Sequence, residues 1–144
     1  MILAGRNQAA LSKREIEHCR EAWEVLCGEK KRPLMITDAG KHSSRTRFNE
    51  LDGSVYVGAD VKPGGGIEAN SRMSVLACLA HELAHAERFE LGFQRINTLP
   101  DGLIDEAEAS LHASFHPVLG AKDREDLIED ARDRLNQWFV ETTR

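Results

Sequence analysis

The chain has 144 residues and little of what marks several whole classes of protein. Cysteine is scarce: Cys19, Cys27 and Cys78 are odd in number and show no C-x-x-C spacing. That count argues against a disulfide framework and leads to an expectation of free, mostly buried thiols in a reducing compartment. Positive charge is not in excess. The net charge of -5 argues against a nucleic-acid surface, and Lys30-Lys31-Arg32 is the only notable basic cluster. It is expected to close a helix, where cations favour the carbonyl end. No hydrophobic run approaches the roughly 20 residues needed to cross a bilayer. The opening Met1-Ile-Leu-Ala-Gly-Arg-Asn-Gln turns polar too soon for a signal peptide. The expected location is therefore the cytoplasm. Internal repeats, low-complexity segments and a DNA-binding helix-turn-helix are all missing. The Gly-rich stretch at 61–66 lacks the spacing and the strand-to-helix setting of a dinucleotide loop. It is expected to be a flexible connection, either a mobile loop beside a site or a plain linker.

What remains is an ordinary globular composition, 41% hydrophobic and 30% charged, in one domain spanning 1–144. Ser12-Lys-Arg-Glu15 forms a capping box, and Ile16, Cys19, Trp23 and Leu26 follow at helical spacing until Gly28. One apolar stripe predicts that this helix packs on a sheet. Residues 33–37 read as a short buried strand, and 46–49 and 54–57 as two strands around a Gly53 turn. A second helix is expected from Asn70 or Ser71 through His85 to about Leu91. A third is expected over 103–115, ended by Pro117. Leu127, Ile128, Ala131, Leu135 and Trp138 mark a fourth, whose alternating charges from Asp123 to Arg134 read as a solvated face. The fold class is thus α+β: an N-terminal helix, a sheet of at least three strands, the second helix, then two more.

Inside the apolar run at 73–86 lies His81-Glu82-Leu83-Ala84-His85, an H-E-x-x-H sequence. Two histidines four apart stand on one helix face, so both imidazoles can grip one metal ion. Glu82 adjoins the first, where a carboxylate can polarise a water on that metal. An ionised glutamate and two imidazoles in a core are costly unless paired or metal-bound. The plain alternative is a pair of core histidines satisfied by hydrogen bonds. The pattern predicts a zinc-dependent peptidase site with one Zn2+ per chain.

A catalytic zinc needs a third protein ligand and an open position. The extended H-E-x-x-H-x-x-G-x-x-H class is excluded, because Arg88 and Leu91 stand where its glycine and third histidine belong. His112 and His116 remain available, although they read more simply as surface or helix-end histidines. Asp105-Glu-Ala-Glu-Ala-Ser110 offers Glu106 and Glu108, which lie about 200° apart around a helix, so only one can face the metal. Glu108 and His112, four apart, share a face.

Gly102-Leu-Ile-Asp-Glu106-Ala-Glu-Ala-Ser110 resembles the third-ligand helix of the gluzincins, the thermolysin-like peptidases. It is also similar to the E-x-E-A-N segment of the ImmA/IrrE family of small cytoplasmic metallopeptidases. The resemblance covers residues 54–113. It implies a zincin-like fold with Glu106 as third ligand and Ser110 supporting the site where the families carry Asp or Asn; on the residues alone Glu108 stays the alternate ligand. It further implies limited proteolysis of a specific protein partner, such as a repressor, in a stress, mobile-element or defence setting. From charge and hydropathy, neither nucleic acid nor a membrane is expected as a partner, and association with a larger regulatory or defence system is compatible with the resemblance. In this scheme Glu82 takes the water's proton and passes it to the leaving amine. Ser54, Val55, Tyr56 and Val57 would supply the sheet edge that holds an extended peptide, and Tyr56 could help an oxyanion. A competing class is a non-catalytic, metal-stabilised binding module with a closed coordination sphere. A third is a latent protein whose cleft is blocked by a loop or partner.

Overall fold

Ser12 and Glu15 set the start of the first helix in the computed structural model, which describes residues 5–144. Residues 1–4, where the sequence suggested no leader, lie outside the described residues. The Glu15 amide donates to Ser12 Oγ, and Glu15 Oε1 accepts from the Ser12 amide at 2.8 Å. Helix α1, Lys13–Cys27, stops at Gly28, whose φ of +59° suits a residue without a Cβ. Its buried stripe is Cys19, Ala22, Trp23 and Leu26. The stripe was expected to meet a sheet; its principal neighbour is instead the apolar face of helix α3, Val75–Glu90. Lys30 and Arg32 do not cap α1. They reach across to Glu90 at the far end of α3, at 3.0 and 2.6 Å. All three cysteines are free, with Cys19 and Cys78 buried.

Three short strands form one mixed sheet in the order β1-β3-β2: β1 is Leu34–Met35, β2 Arg47–Asn49 and β3 Ser54–Tyr56. The β1 pairing is parallel and the β2 pairing antiparallel, with Phe48 opposite Val55. Gly53, at φ +72°, closes the hairpin with its amide on Asn49 O. β1 is shorter and more exposed than the expected buried strand over 33–37.

The expected single helix from residue 70 is broken in two. Helix α2, Ala69–Arg72, ends at Met73, whose ψ of 135° is extended, and Ser74 caps α3 by accepting from the Ala77 amide. The cause is Arg6. Its buried guanidinium donates to the carbonyls of Asn70 and Met73 at 2.7 and 2.8 Å, and to those of Asp60 and Val61 at 2.7 and 2.6 Å. Carbonyls held this way are diverted from an unbroken helical ladder. The same strap pins the Gly-rich stretch, which is not the flexible connection the sequence suggested. Gly64 donates to Ser71 O, and a Cβ on Gly64 would overlap the Gly5 carbonyl. Arg6→Ala is expected to destabilise the fold by roughly 3–5 kcal/mol, because it leaves four carbonyls without their buried donor at about 1 kcal/mol or more each. A urea midpoint corresponding to a loss under about 1 kcal/mol would contradict this account.

Helices α4, Gly102–Ser114, and α5, Ala121–Thr142, complete an α+β fold that has, among the described residues, five α-helices and one small sheet. Buried Ala107, Ala109, Ser110 and Ala113 let α4 pack closely on both α3 and α5. The reading of α5's charges as a solvated face needs correction. Asp126, Asp130 and Arg134 are buried with Leu127 and Ala131, one helical turn apart from each other. Among the described residues no helix is long and apolar enough to cross a membrane.

Candidate metal centre

His81 and His85 lie one turn apart on the buried stretch of α3, and their rings meet edge to face at 4.7 Å between centroids. Both present Nε2 to a single atom, Glu106 Oε1 on α4, at 2.8 and 2.9 Å. The ligand atoms of all three residues lie within 4.8 Å of one another, so this group could hold a metal ion. Helix α4 grips the His81 ring from both sides. Glu106 faces Nε2, and Ser110, one turn on, sits 2.8 Å from Nδ1. The Ser110 hydroxyl in turn donates to Asp130 Oδ2 on α5 at 2.6 Å, and Arg134 Nε donates to the same oxygen at 2.8 Å.

The donor set fits a divalent cation. Two imidazole nitrogens can share one carboxylate oxygen only if each carries a proton there, and a cation takes the place of both protons. The electrostatics carry the same tension. Burial pulls the His81 pKa down, but the Glu106 hydrogen bond and charge outweigh it, and the net shift is upward. His85 is driven down, by burial first and by the charge on His81. Burial would raise Glu106, yet the hydrogen bonds from His81 and His85 hold it well below the usual carboxylate range.

The cluster opens into a cavity of about 260 Å³, lined in part by Thr46, Phe48, Asn70, Met73 and Glu82. Glu82 is buried and hydrogen-bonds to no described residue. Burial pushes its carboxyl up to about 7, against the pull of His81 and with the push of Glu106. In the metal-free protein the folded state therefore keeps a proton that the unfolded chain loses near its ordinary value of 4.5. Stability contributed through this group falls as pH rises between those two values. Metal-free Glu82→Gln is accordingly expected to be more stable than wild type by an amount on the order of 3 kcal/mol at pH 8, and equal to it at pH 4. Chemical denaturation at the two pH values checks this; a variant less stable at pH 8 would contradict it.

The other sequence candidates separate cleanly. Glu108 points outward, about half exposed, with Arg88 at 3.3 Å. It does not face His81 and His85, and it does not pair with His112. His112 instead meets Glu87 at 3.1 Å, and His116 donates to Leu26 O at 2.7 Å, so neither joins the cluster. The proposed substrate edge at Ser54, Val55, Tyr56 and Val57 is overturned. β3 is the central strand, with Val57 N on Met35 O and the β2 ladder on its other side. The strand on the edge beside the cavity is β2, with Arg47 and Phe48 in the lining. Tyr56 is no oxyanion partner: its hydroxyl donates to Asp52, and its ring lies under the Arg47 guanidinium at 4.4 Å.

Asp130, Arg134 and Arg95 were missed from the sequence. Arg95, in the 91–101 connection, donates to Asp105 Oδ2 at 3.0 Å and to Glu106 Oε2 at 3.3 Å. Arg134 NH1 stands 3.9 Å from Glu106 Oε1. Only the i, i+4 pair Asp130–Arg134 left a trace in the sequence, and that trace is shared by any solvated ion pair. Compared with known proteins, the chain matches no family model, no curated protein and no solved structure.

Proposed function

We propose that the protein is a zinc-dependent endopeptidase of the gluzincin type, similar to the ImmA/IrrE family, that cuts a specific protein partner at few sites. His81, His85 and Glu106 would hold the zinc. The observation that carries the reading is Glu82: a buried carboxylate with no hydrogen-bond partner among the described residues, lining the cavity into which the three-residue cluster opens. Structural metal sites are closed by a fourth side chain, and buried polar groups that serve only the fold are satisfied. Here the cluster opens into a cavity, and the carboxylate of Glu82 lines that same cavity.

Zinc bound here would supply Lewis acidity, lowering the pKa of a water towards neutrality and polarising the scissile carbonyl. Glu82 accepts the proton of the attacking water and delivers it to the departing amine. Glu82 follows His81 directly on α3 and lines the cavity, which suits a group that must both take and give a proton there. Arg95 donates to Glu106 Oε2, and the Arg134 guanidinium adds positive charge 3.9 Å from Oε1. The outer edge of β2 offers main-chain groups to an extended peptide, which would lie across the cavity mouth. A repressor or a stress or defence regulator as substrate follows from the resemblance alone.

The reading is tested with a library of internally quenched peptides and the zinc-loaded protein. Cleavage is expected, with loss on chelation and recovery when zinc is returned. Cleavage that survives complete removal of metal, or zinc-loaded protein that cuts no peptide in the library, would refute it.

A further inference from the structure

Helix α5 carries a residue the centre depends on. The relevant chain runs from His81 Nδ1 to Ser110 Oγ at 2.8 Å, then to Asp130 Oδ2 at 2.6 Å. Ser110 is fully buried, as is Asp130. A serine hydroxyl has one proton to give. Asp130, ion-paired with Arg134 at 2.8 Å, accepts that proton in a hydrogen bond. Ser110 Oγ is then left with lone pairs alone for His81, so Nδ1 must be the N–H of the ring. When a cation takes the place of the Nε2 proton, the lone pair of the neutral imidazole therefore lies on Nε2, the atom that faces Glu106 and the ligand cluster.

We propose that Asp130 is a positioning residue of the metal centre, acting through the Ser110 hydroxyl to fix the tautomer and orientation of His81. The proposal rests on the metal-binding reading above and concerns a residue on a different helix from every ligand. The two histidines are not treated alike. His85 Nδ1 is buried and has no hydrogen-bond partner among the described residues, whereas His81 Nδ1 meets Ser110, so the anchoring runs through His81. Arg134 extends the backing, since its guanidinium lies between the Asp130 and Glu106 carboxylates. Helix α5 therefore supports two of the three ligands without supplying one. A carboxylate that hydrogen-bonds directly to a ligating imidazole does the same work in one step; here a serine relays it from one helix to the next.

Zinc affinity, measured by competition with a chromogenic chelator, tests this without any need for a substrate. Ser110→Ala and Asp130→Asn are each expected to weaken zinc binding by about 10–100-fold, the range for partners that orient a ligand from behind. Because the two act in series, the double variant should bind no more than about threefold more weakly than the worse single. Asp126→Asn serves as the control. Asp126 is buried on the same face of α5 but pairs with Lys122 and Arg72, away from the cluster. It should leave zinc affinity unchanged, whereas a merely structural role for α5 would make it behave like Asp130→Asn. Affinity of Asp130→Asn within twofold of wild type, or a double variant whose losses multiply, would overturn the proposal. If Asp130→Asn fails to fold, Ser110→Ala decides alone, and unchanged affinity there overturns it. Wild-type protein that takes up no zinc would instead refute the metal-binding reading itself.

Discussion

Glu82→Gln is expected to lower peptide hydrolysis by about 10²–10⁴-fold while leaving zinc affinity within about threefold of wild type. The substitution keeps the shape of the side chain and removes only its ability to take a proton. The Glu82 side chain hydrogen-bonds to no described residue, and it does not belong to the His81, His85 and Glu106 cluster, so neither fold nor metal loses a contact among the described residues. Its carboxyl is pushed up to about 7 by burial, so ionising it is a cost that the fold bears at neutral pH. The variant is therefore expected to lose function and gain stability in the metal-free state, the combination that marks a residue kept for chemistry. Rate measurements on zinc-loaded protein, with zinc content determined on the same samples, check this. Wild-type turnover by Glu82→Gln would remove Glu82 from the mechanism.

Glu106→Gln is expected to weaken zinc binding by more than about 100-fold, beyond the range typical of outer partners. Glu108→Gln is expected to change it by less than about twofold. The two residues are two positions apart on one helix, and the backbone turns them to opposite sides. Glu106 meets both histidines, and the guanidiniums of Arg95 and Arg134 stand near it. Glu108 meets only Arg88 in a pair that is about half exposed on the carboxylate side. Chelator competition on the two variants separates them, and equal losses from both would contradict the assignment.

Much of this arrangement is legible in the sequence because helical periodicity carries it. The four-residue spacing of His81 and His85 fixes a shared face, and the capping box at Ser12 and Glu15 marks the start of α1. The spacing of Glu106 and Glu108 says that only one can serve, though not which. The strand edge was misassigned because strand order is a long-range property: nothing local to residues 54–57 says that β1 will pair on the far side. The break at Met73 was hidden for a similar reason. Its cause, Arg6, lies 67 positions away along the chain. The buried charges of α5 escaped because Asp130 and Arg134 have the spacing of a surface ion pair. Only the packing of α4 against α5, with small residues at 107, 109, 110 and 113, turns that pair inward.

The coordination sphere of the zinc-loaded protein, from a crystal structure or X-ray absorption, tests the central claim most directly. Two imidazole nitrogens at about 2.0–2.1 Å, a Glu106 carboxylate oxygen and one water are the expected result. A fourth protein side chain in place of the water, or Glu108 in place of Glu106, would contradict it.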